Sequence, residues 1–574
     1  MITQADAANY DAVWLLDVEI DGRTYRYTRA ASAQQVTTAT GLSYLYAAGM
    51  SDIRLTTAND AAAVQIIDGT DWAALFSAGA SMEGGRATLR RWWSGLTHEQ
   101  AHVWATGNAR GAEYGERGEP LIFTIESGAS VDTDFLMPAN SAAYRPLHYG
   151  PDRAGGPTYD IYPESEGLPL PIVIGYPGDL GDGNSLAVVP IVLTDWPTSG
   201  IPAPTDLDTS RCSVSIGRID ATTVYVKERD KFPNGPTYTA TIQHATQATV
   251  SNAEETTYDV AYIDFSGNDS AGNPSRSILP ATVDSDSKAA FYAGFKPSTG
   301  GGLSNPYAPG TLSGAGDVII WALRTCGASL RVDYDRLQEL RPILNNYRID
   351  TFINDTELRA LDWLRSVVLS ILPVVETTTD NGWSLAYLDW CASEADALGT
   401  LVADRDVFRA SSARVINAGD LVSEVTVTFR SRESEGYPAH VDQTIVNPDL
   451  YVKRDRSALV GQPNNYYPDR IAKISAARYG LRKTEIELDQ TWEDATALRV
   501  ARDVLKAQGL AILGVTYQAA TDTLERARVG DVWLLTDEGM GWTERVAIVP
   551  EINVGGNEPP ALTFALPDPL LKRA

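Results

Sequence analysis

Ser475-Ala-Ala-Arg-Tyr-Gly480 precedes a helix-like run from Thr491 to Gln508, and Arg528-Val-Gly-Asp-Val-Trp-Leu-Leu-Thr-Asp537 follows that run. Gly509 supplies a stop signal for the helix. The residues that share one apolar helical face are Leu498, Ala501, Val504 and Leu505. A Gly-Asp turn then leads into the next strand. The segment therefore predicts a compact β-rich module with one packed helix.

Length and composition indicate a mainly β protein with several domains. A chain of 574 residues is too long for a single core and predicts about three to five domains. The 47 Gly and 31 Pro residues, with many Thr, Val and Tyr, favour short strands and turns. We expect β-barrel or sandwich domains and one small inserted α/β domain.

Changes in composition along the chain divide it into five regions. We predict an N-terminal β-barrel-like domain over 1–130, a Pro- and Gly-rich region of loops and short strands over 131–205, a second β domain over 206–305, a small α/β domain over 306–400, and a C-terminal β-barrel-like domain with one packed helix over 401–574. Ser298-Thr-Gly-Gly-Gly-Leu-Ser304 is the most linker-like stretch.

Alternating apolar residues predict several strands. Val13 to Ile20, the pair Asp21-Gly22, and Thr24 to Thr28 form a hairpin pattern, because Asp-Gly allows the positive φ of a tight primed turn. Ala87 to Trp93 and Leu121 to Ile125 are further strand candidates. Other alternating sets are Cys212, Val214 and Ile216; Tyr238, Ala240 and Ile242; and Val425, Val427 and Phe429.

Two helices are predicted in the region that follows residue 310. Asp317 is placed to cap a helix from Val318 to Cys326, which Gly327 would stop. Asp355 is placed to cap a stronger helix from Thr356 to Leu372, with Pro373 just beyond its end. Its apolar stripe consists of Leu358, Leu361, Leu364 and Val368.

Charge and targeting signals narrow the function classes. The formal net charge of −27 and the lack of a basic patch predict a poor binder of DNA, because gripping nucleic acid requires several Lys or Arg contacts to phosphate. Met1 to Ala7 shows no signal-peptide pattern, and the apolar run Ser366 to Val375 is too short to span a bilayer. Cys212, Cys326 and Cys391 form no CxxC pair, so we expect no disulfide framework or structural zinc site and synthesis in a reducing cytosol.

The motif His98-Glu-Gln-Ala-His102 offers a competing hypothesis of a zinc-dependent peptidase or cell-wall hydrolase. On a helix its two imidazoles would face one zinc, Glu99 would activate a water, and Thr97 with Gln100 could form a capping box. Zinc also needs a third ligand, for which Glu116, Glu119 and Glu126 are within range along the chain. The residues after His102 continue as strand and turn, however. On a strand the two histidines would lie about 13 Å apart, so we favour the strand.

No other motif specifies a reaction. His148, His244 and His440 are scattered, and the sequence has no nucleophile elbow, Walker loop or dinucleotide fingerprint. Asp179 to Asn184 is acidic and Gly-rich but departs from the spacing of a Ca²⁺ loop. We therefore predict no catalytic residue, no cofactor and no metal ligand, and no enzyme activity. A secreted carbohydrate-binding protein stays as a third class, although the start of the chain does not favour it.

Three segments together resemble one family. The segments are Gly316-Asp-Val-Ile-Ile-Trp-Ala-Leu323 with Leu330-Arg-Val-Asp-Tyr-Asp335; the helix Leu358 to Leu372 with Leu372-Pro-Val-Val375 and Asp380-Asn-Gly-Trp383; and Ser475 to Gly480 with the helix from Thr491 and Val529-Gly-Asp-Val532. They look like parts of baseplate hub proteins of long-tailed phages and gene transfer agents, including the core of the lambda-type host-specificity protein. The resemblance covers the chain from about Thr311 onward, and the earlier part only by architecture.

The resemblance implies a structural virion protein at the tail tip, assembled in the host cytoplasm. Such a hub is a homotrimer in which two related barrel-like domains per chain form a pseudo-sixfold ring, a geometry that agrees with the rules for closed rings. The implied neighbours are the distal tail protein, the tape-measure protein and a central fibre or spike. Phage DNA would pass through the channel only in transit, and contact with the host envelope is implied during ejection.

Overall fold

A computed structural model gives the architecture of the chain. It describes residues 13–56, 61–82, 85–114, 119–126, 160–161, 171–177, 189–190, 192–195, 211–228, 238–251, 254–264, 291–295, 300–326, 332–353, 358–379, 382–429, 443–446, 467–491, 493–519, 523, 527–553 and 561–571. Strands dominate these residues and form several separate sheets, which confirms a mainly β, multidomain fold.

The elements are numbered here in chain order. The strands are β1 (Val13–Ile20), β2 (Arg23–Thr28), β3 (Gln34–Thr37), β4 (Ser43–Ala48), β5 (Met50–Thr56), β6 (Ala61–Ile66), β7 (Arg86–Trp92), β8 (His102–Glu113), β9 (Leu121–Glu126), β10 (Asp160–Ile161), β11 (Ile172–Ile174), β12 (Val189–Pro190), β13 (Val192–Asp195), β14 (Arg211–Ile216), β15 (Thr223–Glu228), β16 (Tyr238–Ser251), β17 (Glu254–Asp264), β18 (Phe291–Gly294), β19 (Thr351–Ile353), β20 (Val374–Thr379), β21 (Gly382–Tyr387), β22 (Thr400–Val402), β23 (Val407–Arg409), β24 (Arg414–Val415), β25 (Glu424–Phe429), β26 (Gln443–Val446), β27 (Lys483–Leu488), β28 (Leu513–Ala519), β29 (Val532–Asp537), β30 (Trp542–Asn553) and β31 (Ala561–Leu566). The α-helices are α1 (Trp72–Ser77), α2 (Ala315–Cys326), α3 (Tyr334–Leu344), α4 (Ala360–Trp363), α5 (Tyr467–Tyr479) and α6 (Asp494–Gln508).

The N-terminal sheet closes on itself as a barrel. Its strand order is β3-β4-β2-β1-β7-β8-β9-β6-β5. β4 and β5 are the two halves of one bent strand, and Gly49 lies at the bend between them. The Gly49 N–H donates to Thr28 O at 3.4 Å at one edge, and the Ile67 N–H donates to Gly49 O at 2.7 Å at the other. The bent strand thus joins both edges of the sheet and nearly closes the barrel wall.

The predicted N-terminal hairpin is confirmed. β1 and β2 pair in antiparallel register, and the turn residues Asp21 and Gly22 have φ values of 49° and 70°. Both φ values are positive, as a primed two-residue turn requires. The strand predictions over Ala87 to Trp93 and Leu121 to Ile125 are confirmed as β7 and β9. The apolar residues of these strands face a core that is built from this barrel alone.

A second sheet of eight strands follows, in the order β10-β13-β14-β17-β16-β15-β18-β12. The predicted strands around Cys212 and Tyr238 are confirmed as β14 and β16. The alternation in β14 is interrupted, because the register shifts between Ser213 and Ser215 where the strand pairs with β17. Val214 and Ser215 are consequently both fully buried, although they are neighbours in the sequence.

The stretch that the sequence marks as a linker is, in its described part, a packed connection. Gly301 and Gly302 are buried, and the Gly302 N–H donates to Gly175 O at 2.7 Å. A Cβ atom on Gly302 would lie 2.2 Å from Val173 O, and one on Gly301 would lie 2.4 Å from Gly175 O. The linker prediction is therefore wrong for residues 300–304. Here the glycines serve close backbone approach rather than flexibility.

The largest core lies between the barrels in the sequence and combines segments that are far apart along the chain. It contains apolar residues of α2, α3, α4 and β21, together with residues of β25, α5 and α6. β25, with Val425, Val427 and Phe429 buried as the alternation predicts, lies between β26 and β27. α6 packs on β25. The sequence assigns α6 to a C-terminal barrel module, but the helix packs in the central core. Ser475 also lies at this core, where its hydroxyl donates to Val422 O at 2.9 Å.

The predicted helix ends need correction. Helix α2 begins at Ala315, so Asp317 lies in its first turn and does not cap it; its carboxylate instead pairs with Arg341. Leu358 and Arg359 precede α4, which begins at Ala360, so the predicted start at Thr356 is wrong. The helical path continues as a π-helix over Leu364–Val368 and a 3-10 turn over Leu369–Ile371, and it ends before Pro373 as predicted.

Another predicted helix end is confirmed, and some of the predicted signals lie outside the described residues. α6 begins at Asp494 rather than Thr491, and it ends at Gln508 with Gly509 as its C-cap, as predicted. Asp355, Gly327 and the segment Asp179 to Asn184 lie outside the described residues. Within the described part of the chain, no helix is both long and apolar enough to cross a membrane.

The C-terminal sheet is a second, nearly closed barrel. Its order is β22-β29-β30-β31-β28-β23, and β24 also pairs with β28. β22 and β23 lie at opposite edges of this sheet, yet only residues 403–406 separate them. The Asp404 N–H donates to Val407 O at 2.8 Å and the Asp406 N–H donates to Val402 O at 2.9 Å. This tight turn brings the two edges together around a core of their own.

Candidate functional site

In both barrels the strands that form the wall pair with one another in the same order along the chain. In each, a bent strand is followed by an antiparallel partner of its second half, which is β6 in the first barrel and β28 in the second. A three-stranded meander comes next, β7-β8-β9 or β29-β30-β31, and its last strand pairs back with β6 or β28. The barrels are therefore built by the same sequence of pairings.

Irregularities in the pairing also correspond. The central meander strand is β8 in one barrel and β30 in the other, and each spans twelve residues. β8 carries one extra residue opposite β7 and another opposite β9. β30 likewise carries extra residues opposite β29 and opposite β31. Bulges bend and twist a strand at a defined place, so corresponding bulges give the two barrels corresponding curvature.

Insertions distinguish the barrels. In the second barrel, the elements from β24 to α6 lie between the bent strand and β28, whereas β6 follows the bent strand directly in the first barrel. In the second barrel, β22 pairs in parallel directly with β29, the first meander strand. In the first barrel, the hairpin β1–β2 separates the equivalent strands: β4 pairs in parallel with β2, and β1 pairs with β7. Two antiparallel steps preserve direction, so β7 still runs parallel to β4. The N-terminal barrel is therefore a larger version of the C-terminal one, with β3 added outside β4.

The motif His98 to His102 lies in the N-terminal barrel and is not on a helix. His98 to Gln100 form a single 3-10 turn, and His102 is the first residue of β8. The Thr97 N–H donates to Gln100 Oε1 at 3.0 Å, as the capping-box pattern suggests. An i, i+4 histidine pair faces one metal only on a continuous helix, and this turn provides none.

The side chain of His98 is part of a buried polar cluster. Its Nε2 lies 2.9 Å from Tyr46 Oη and 3.7 Å from Asp17 Oδ2, and its ring makes an edge contact with Tyr44. Tyr46 is fully buried and donates to Asp17 Oδ1 at 2.9 Å. Because Asp17 is on β1, Tyr46 on β4 and His98 before β8, the cluster ties the bent strand to the barrel wall.

Asp17 is the anionic centre of this cluster. Arg26 Nε lies 3.0 Å from Asp17 Oδ1, and Arg90 Nε lies 3.3 Å from Asp17 Oδ2. Burial is the largest influence on the Asp17 pKa and raises it, but hydrogen bonds with His98 and Tyr46 and the charges of Arg90 and Arg26 outweigh burial and lower the pKa below its ordinary value. The carboxylate is therefore held ionised inside the barrel wall.

Glu99 faces the loop between β3 and β4. Its Oε2 accepts a hydrogen bond from the Ala39 N–H at 2.8 Å, and this bond lowers the pKa of Glu99 below its ordinary value. The same loop is closed internally, because the Thr38 N–H donates to Leu42 O at 2.7 Å and the Leu42 N–H donates to Thr38 Oγ1 at 2.9 Å. His98 and Glu99 together hold the β3–β4 hairpin in one position, which accounts for both residues without a metal.

The other candidate ligands are not brought to this turn. Glu119 is exposed before β9, while Glu116 and the side chains of Glu126 and His102 lie outside what the structure describes. His244 Nε2 accepts from the Ile219 N–H at 3.2 Å in the second sheet. Among the described residues, no group of three or more His, Cys, Asp or Glu side chains is placed to hold a metal ion.

A second buried acid, which the sequence gives no sign of, joins three distant segments. The Asp350 Oδ1 atom accepts from the Tyr176 N–H at 2.8 Å and from Arg348 Nε at 2.9 Å. The Asp350 N–H donates to Gln490 O at 2.8 Å. Arg348 also covers the Tyr176 ring, 4.0 Å from its centroid. This junction fixes the strand β11 and its turn to the central core, and its partners are too far apart in sequence to form a motif.

Comparisons with known proteins give structural likenesses only. No protein-family model matches the chain, and no curated protein is similar to it in sequence. Among solved structures, the chain is similar to a 43 kDa tail protein of prophage MuSo2 from Shewanella oneidensis, at 8% identity over 98% of this chain and 99% of that one, with a TM-score of 0.31. It is also similar to a tail protein from Neisseria meningitidis MC58, at 9% identity over 61% of this chain and 93% of that one, with a TM-score of 0.26. A third similar chain belongs to the virion of a native gene transfer agent particle, at 10% identity over 78% of this chain and 93% of that one, with a TM-score of 0.37.

Proposed function

We propose that this protein is a structural component of a phage tail, and that it forms the trimeric hub that closes the tail-tube tip. The observation that carries the proposal is the pair of barrels with one chain path and corresponding bulges. Three copies of such a chain supply six barrels of related shape. Alternating around one axis, these barrels would form a pseudo-sixfold ring with true threefold symmetry.

The difference between the barrels suits an adapter. If the two barrels were identical, the ring would have sixfold symmetry on every surface. The hairpin β1–β2 and the strand β3 enlarge only the N-terminal barrel. The ring can therefore present a sixfold arrangement to the tail tube through the shared strands, and a threefold arrangement to a central fibre or spike through the added ones.

The charge of the chain is compatible with a DNA ejection channel. With 47 basic and 74 acidic residues the chain has a formal net charge of −27. A chain with this net charge offers few of the clustered Lys and Arg contacts that give non-specific binding its affinity, so it would not hold DNA in transit. The proposed neighbours are the distal tail protein, the tape-measure protein and a central fibre or spike, and the proposed location is the tail tip of the virion.

Imaging the purified full-length chain tests this function. We expect light scattering to give the mass of three copies, and electron microscopy to show a threefold ring of six lobes around a central channel. The two barrels would account for two unequal lobes in each third of the ring. A chain that remains monomeric at all concentrations, or a closed ring with a number of copies other than three, would contradict the proposal.

A further inference from the structure

The C-terminal barrel carries a small recess on its outer side. The recess lies between the turn after β21, the start of β30 and the residues that follow β31, and its volume is about 130 Å³. Val546 lines it, whereas the next residue, Ala547, faces the core of the barrel. Half-buried Trp390 supplies an aromatic wall, and Pro567 and Pro569 supply further apolar surface. The recess therefore offers one aromatic ring and a rigid apolar border.

The size of the recess limits what it can hold. A cavity of about 150 Å³ in another protein binds benzene, so this volume suits one six-membered ring. Sites for drug-sized ligands and cofactors occupy roughly 300–1,000 Å³, which excludes a whole nucleotide or cofactor. Glu394 and Thr543 at the border are exposed, so the recess is open to solvent. It can accordingly take one ring of a longer molecule that continues outside.

Several polar groups of the recess are available to a ligand. Within the described part of the chain, nothing accepts a hydrogen bond from the Trp390 indole N–H, and nothing pairs with the Glu544 carboxylate. A guanidinium group carries five N–H donors. The Arg545 guanidinium uses one of them in a long hydrogen bond, with 3.4 Å between its terminal nitrogen and Pro567 O. Donors and an acceptor thus lie around the same aromatic wall.

Charges of both signs line the recess. Glu394 and Glu544 are acidic, and Arg545 is basic. A third carboxylate, that of Asp568, is already paired with Arg478 at 2.8 Å. An anionic ligand would be opposed by the two free-standing acids, and a cationic ligand by the guanidinium. A neutral ligand that both donates and accepts hydrogen bonds avoids both repulsions and uses groups of both kinds.

We propose that this recess binds one neutral sugar ring of a polysaccharide, an inference that does not depend on the trimeric ring. A pyranose has an apolar face of C–H groups that packs on an aromatic ring, and hydroxyl groups at its edge that donate and accept. Trp390 contacts the apolar face of the sugar. Glu544 accepts from one hydroxyl and Arg545 donates to another, and both are hydrogen bonds strengthened by a charge.

The backbone on two sides of the recess is fixed before a ligand binds. Glu544 has a φ of 48°, which residues other than glycine rarely adopt, and its N–H donates to Thr536 Oγ1 at 3.1 Å. Asp568 Oδ1 accepts from the Leu570 N–H at 2.9 Å, next to the border prolines. Groups that are already ordered lose little conformational entropy on binding. This order favours the binding of a ring that provides only a small contact area.

Saturation-transfer difference NMR of the full-length chain tests the site. The probes are the methyl glycosides of glucose, galactose, mannose and N-acetylglucosamine, which are neutral single rings. We expect at least one of them to bind with a dissociation constant on the order of millimolar, the range for a ligand of so few atoms. Transfer should be strongest to the C–H protons of one ring face, because that face contacts Trp390.

Two variants assign the binding to the recess. Trp390→Ala should weaken it roughly tenfold, and Glu544→Gln roughly threefold. Glu538→Gln is the matched control, because Glu538 is an exposed acid of the same barrel outside the recess, and it should bind as the unaltered chain does. Far-UV circular dichroism checks the fold. If Trp390→Ala fails to fold, Glu544→Gly replaces it, since glycine adopts a positive φ without strain and removes the carboxylate.

Three results would overturn the proposal. One is no transfer to any of the four glycosides. Another is binding that the Trp390 and Glu544 variants leave unchanged, which would place the sugar elsewhere. The third is binding of the peptide Lys-Lys-Lys in place of the glycosides, which would make the recess a site for a basic protein segment. A chain that binds a glycoside but stays monomeric would overturn the ring and leave this site standing.

Discussion

At the scale of single residues, the zinc-motif pattern drew attention to a structurally important turn, although that turn is not part of a helix. His98 and Glu99 stood out through the spacing of a zinc motif, whereas the partners that explain them, Asp17 and Tyr46, carried no signal. Asp17 interrupts the apolar residues of β1, and only the barrel brings it beside Tyr46 and His98. Contacts between residues so far apart in sequence depend on strand order and register, which a single sequence does not specify.

The ionised cluster around Asp17 predicts a pH-dependent stability of the N-terminal barrel. The Asp17→Asn variant removes the charge but keeps the shape, and it leaves Arg26 and Arg90 without their anionic partner. We expect it to lower the free energy of unfolding at pH 7 by about 2 kcal/mol, the usual size for hydrogen bonds to a charged group. Urea unfolding, followed through hydrogen exchange of the β1 and β4 amides, measures the loss.

The sign of the pH effect follows from the lowered Asp17 pKa. An acid with a lower pKa in the folded state stabilises the fold above its ordinary value of 3.8, and that contribution disappears as the pH falls through the folded value. The difference in the free energy of unfolding between the unaltered chain and Asp17→Asn should therefore have its full size at neutral pH and decrease below pH 3.8. Glu119→Gln, an exposed carboxylate in the same barrel, should show no gap. A gap that is equal at pH 7 and pH 3 would contradict the ionised state of Asp17.

At the scale of elements, local signals predicted the strands and hairpins but not how glycines and helix starts are used. Asp21-Gly22 specified its turn because the chemistry is contained in two residues. Asp317 had the pattern of a helix cap, but Arg341 on the next helix takes its carboxylate and α2 begins earlier. Gly301 and Gly302 had the composition of a linker, but distant backbone segments pack directly against them. In both incorrect predictions, a contact with a residue distant in the sequence determined the structure.

The packed glycines predict a sharp difference between two Gly→Ala substitutions. Gly302→Ala would place a Cβ atom 2.2 Å from Val173 O, so the β11 segment must shift. We expect it to reduce stability by roughly 1–3 kcal/mol, as other overpacking substitutions do. Gly419 has nothing within 4 Å of its Cβ position and no positive φ, so Gly419→Ala is the matched control and should be nearly neutral. Thermal unfolding of the two variants compares them, and equal melting temperatures would show that residues 300–304 act as a linker after all.

At the scale of the whole molecule, the mainly β fold was predictable and the kinship of the two barrels was not. No repeat is visible in the sequence, since the barrels share a chain path and bulge positions rather than residues. The shared order of strand pairing depends on pairs such as β4 with β2 and β22 with β29. These pairs are joined by backbone atoms, so they place few requirements on the side chains. The trimeric hub and its neighbours remain a prediction, which the imaging experiment addresses.

The distribution of cores makes a last prediction about independent folding. Among the described residues, the apolar core side chains of the N-terminal barrel form two clusters whose members all lie within residues 13–125. The region 401–574 differs, because Val425, Phe429 and Leu505 belong to the central core with residues of α2 and α4. A fragment of residues 1–130 should therefore fold alone, whereas a fragment of residues 401–574 should leave part of its apolar surface without partners.

Proton NMR spectra and hydrogen exchange of three fragments measure this difference. Residues 1–130 should give dispersed resonances and one cooperative unfolding transition, since the barrel core is complete. Residues 401–574 should leave the β25 and α6 amides unprotected, because the faces that cover them lie on earlier elements. Residues 171–574 should restore that protection by supplying α2 and α4. Protected β25 amides in the 401–574 fragment would mean that the C-terminal region has a sufficient core of its own, and that the central core is then an interface between finished domains.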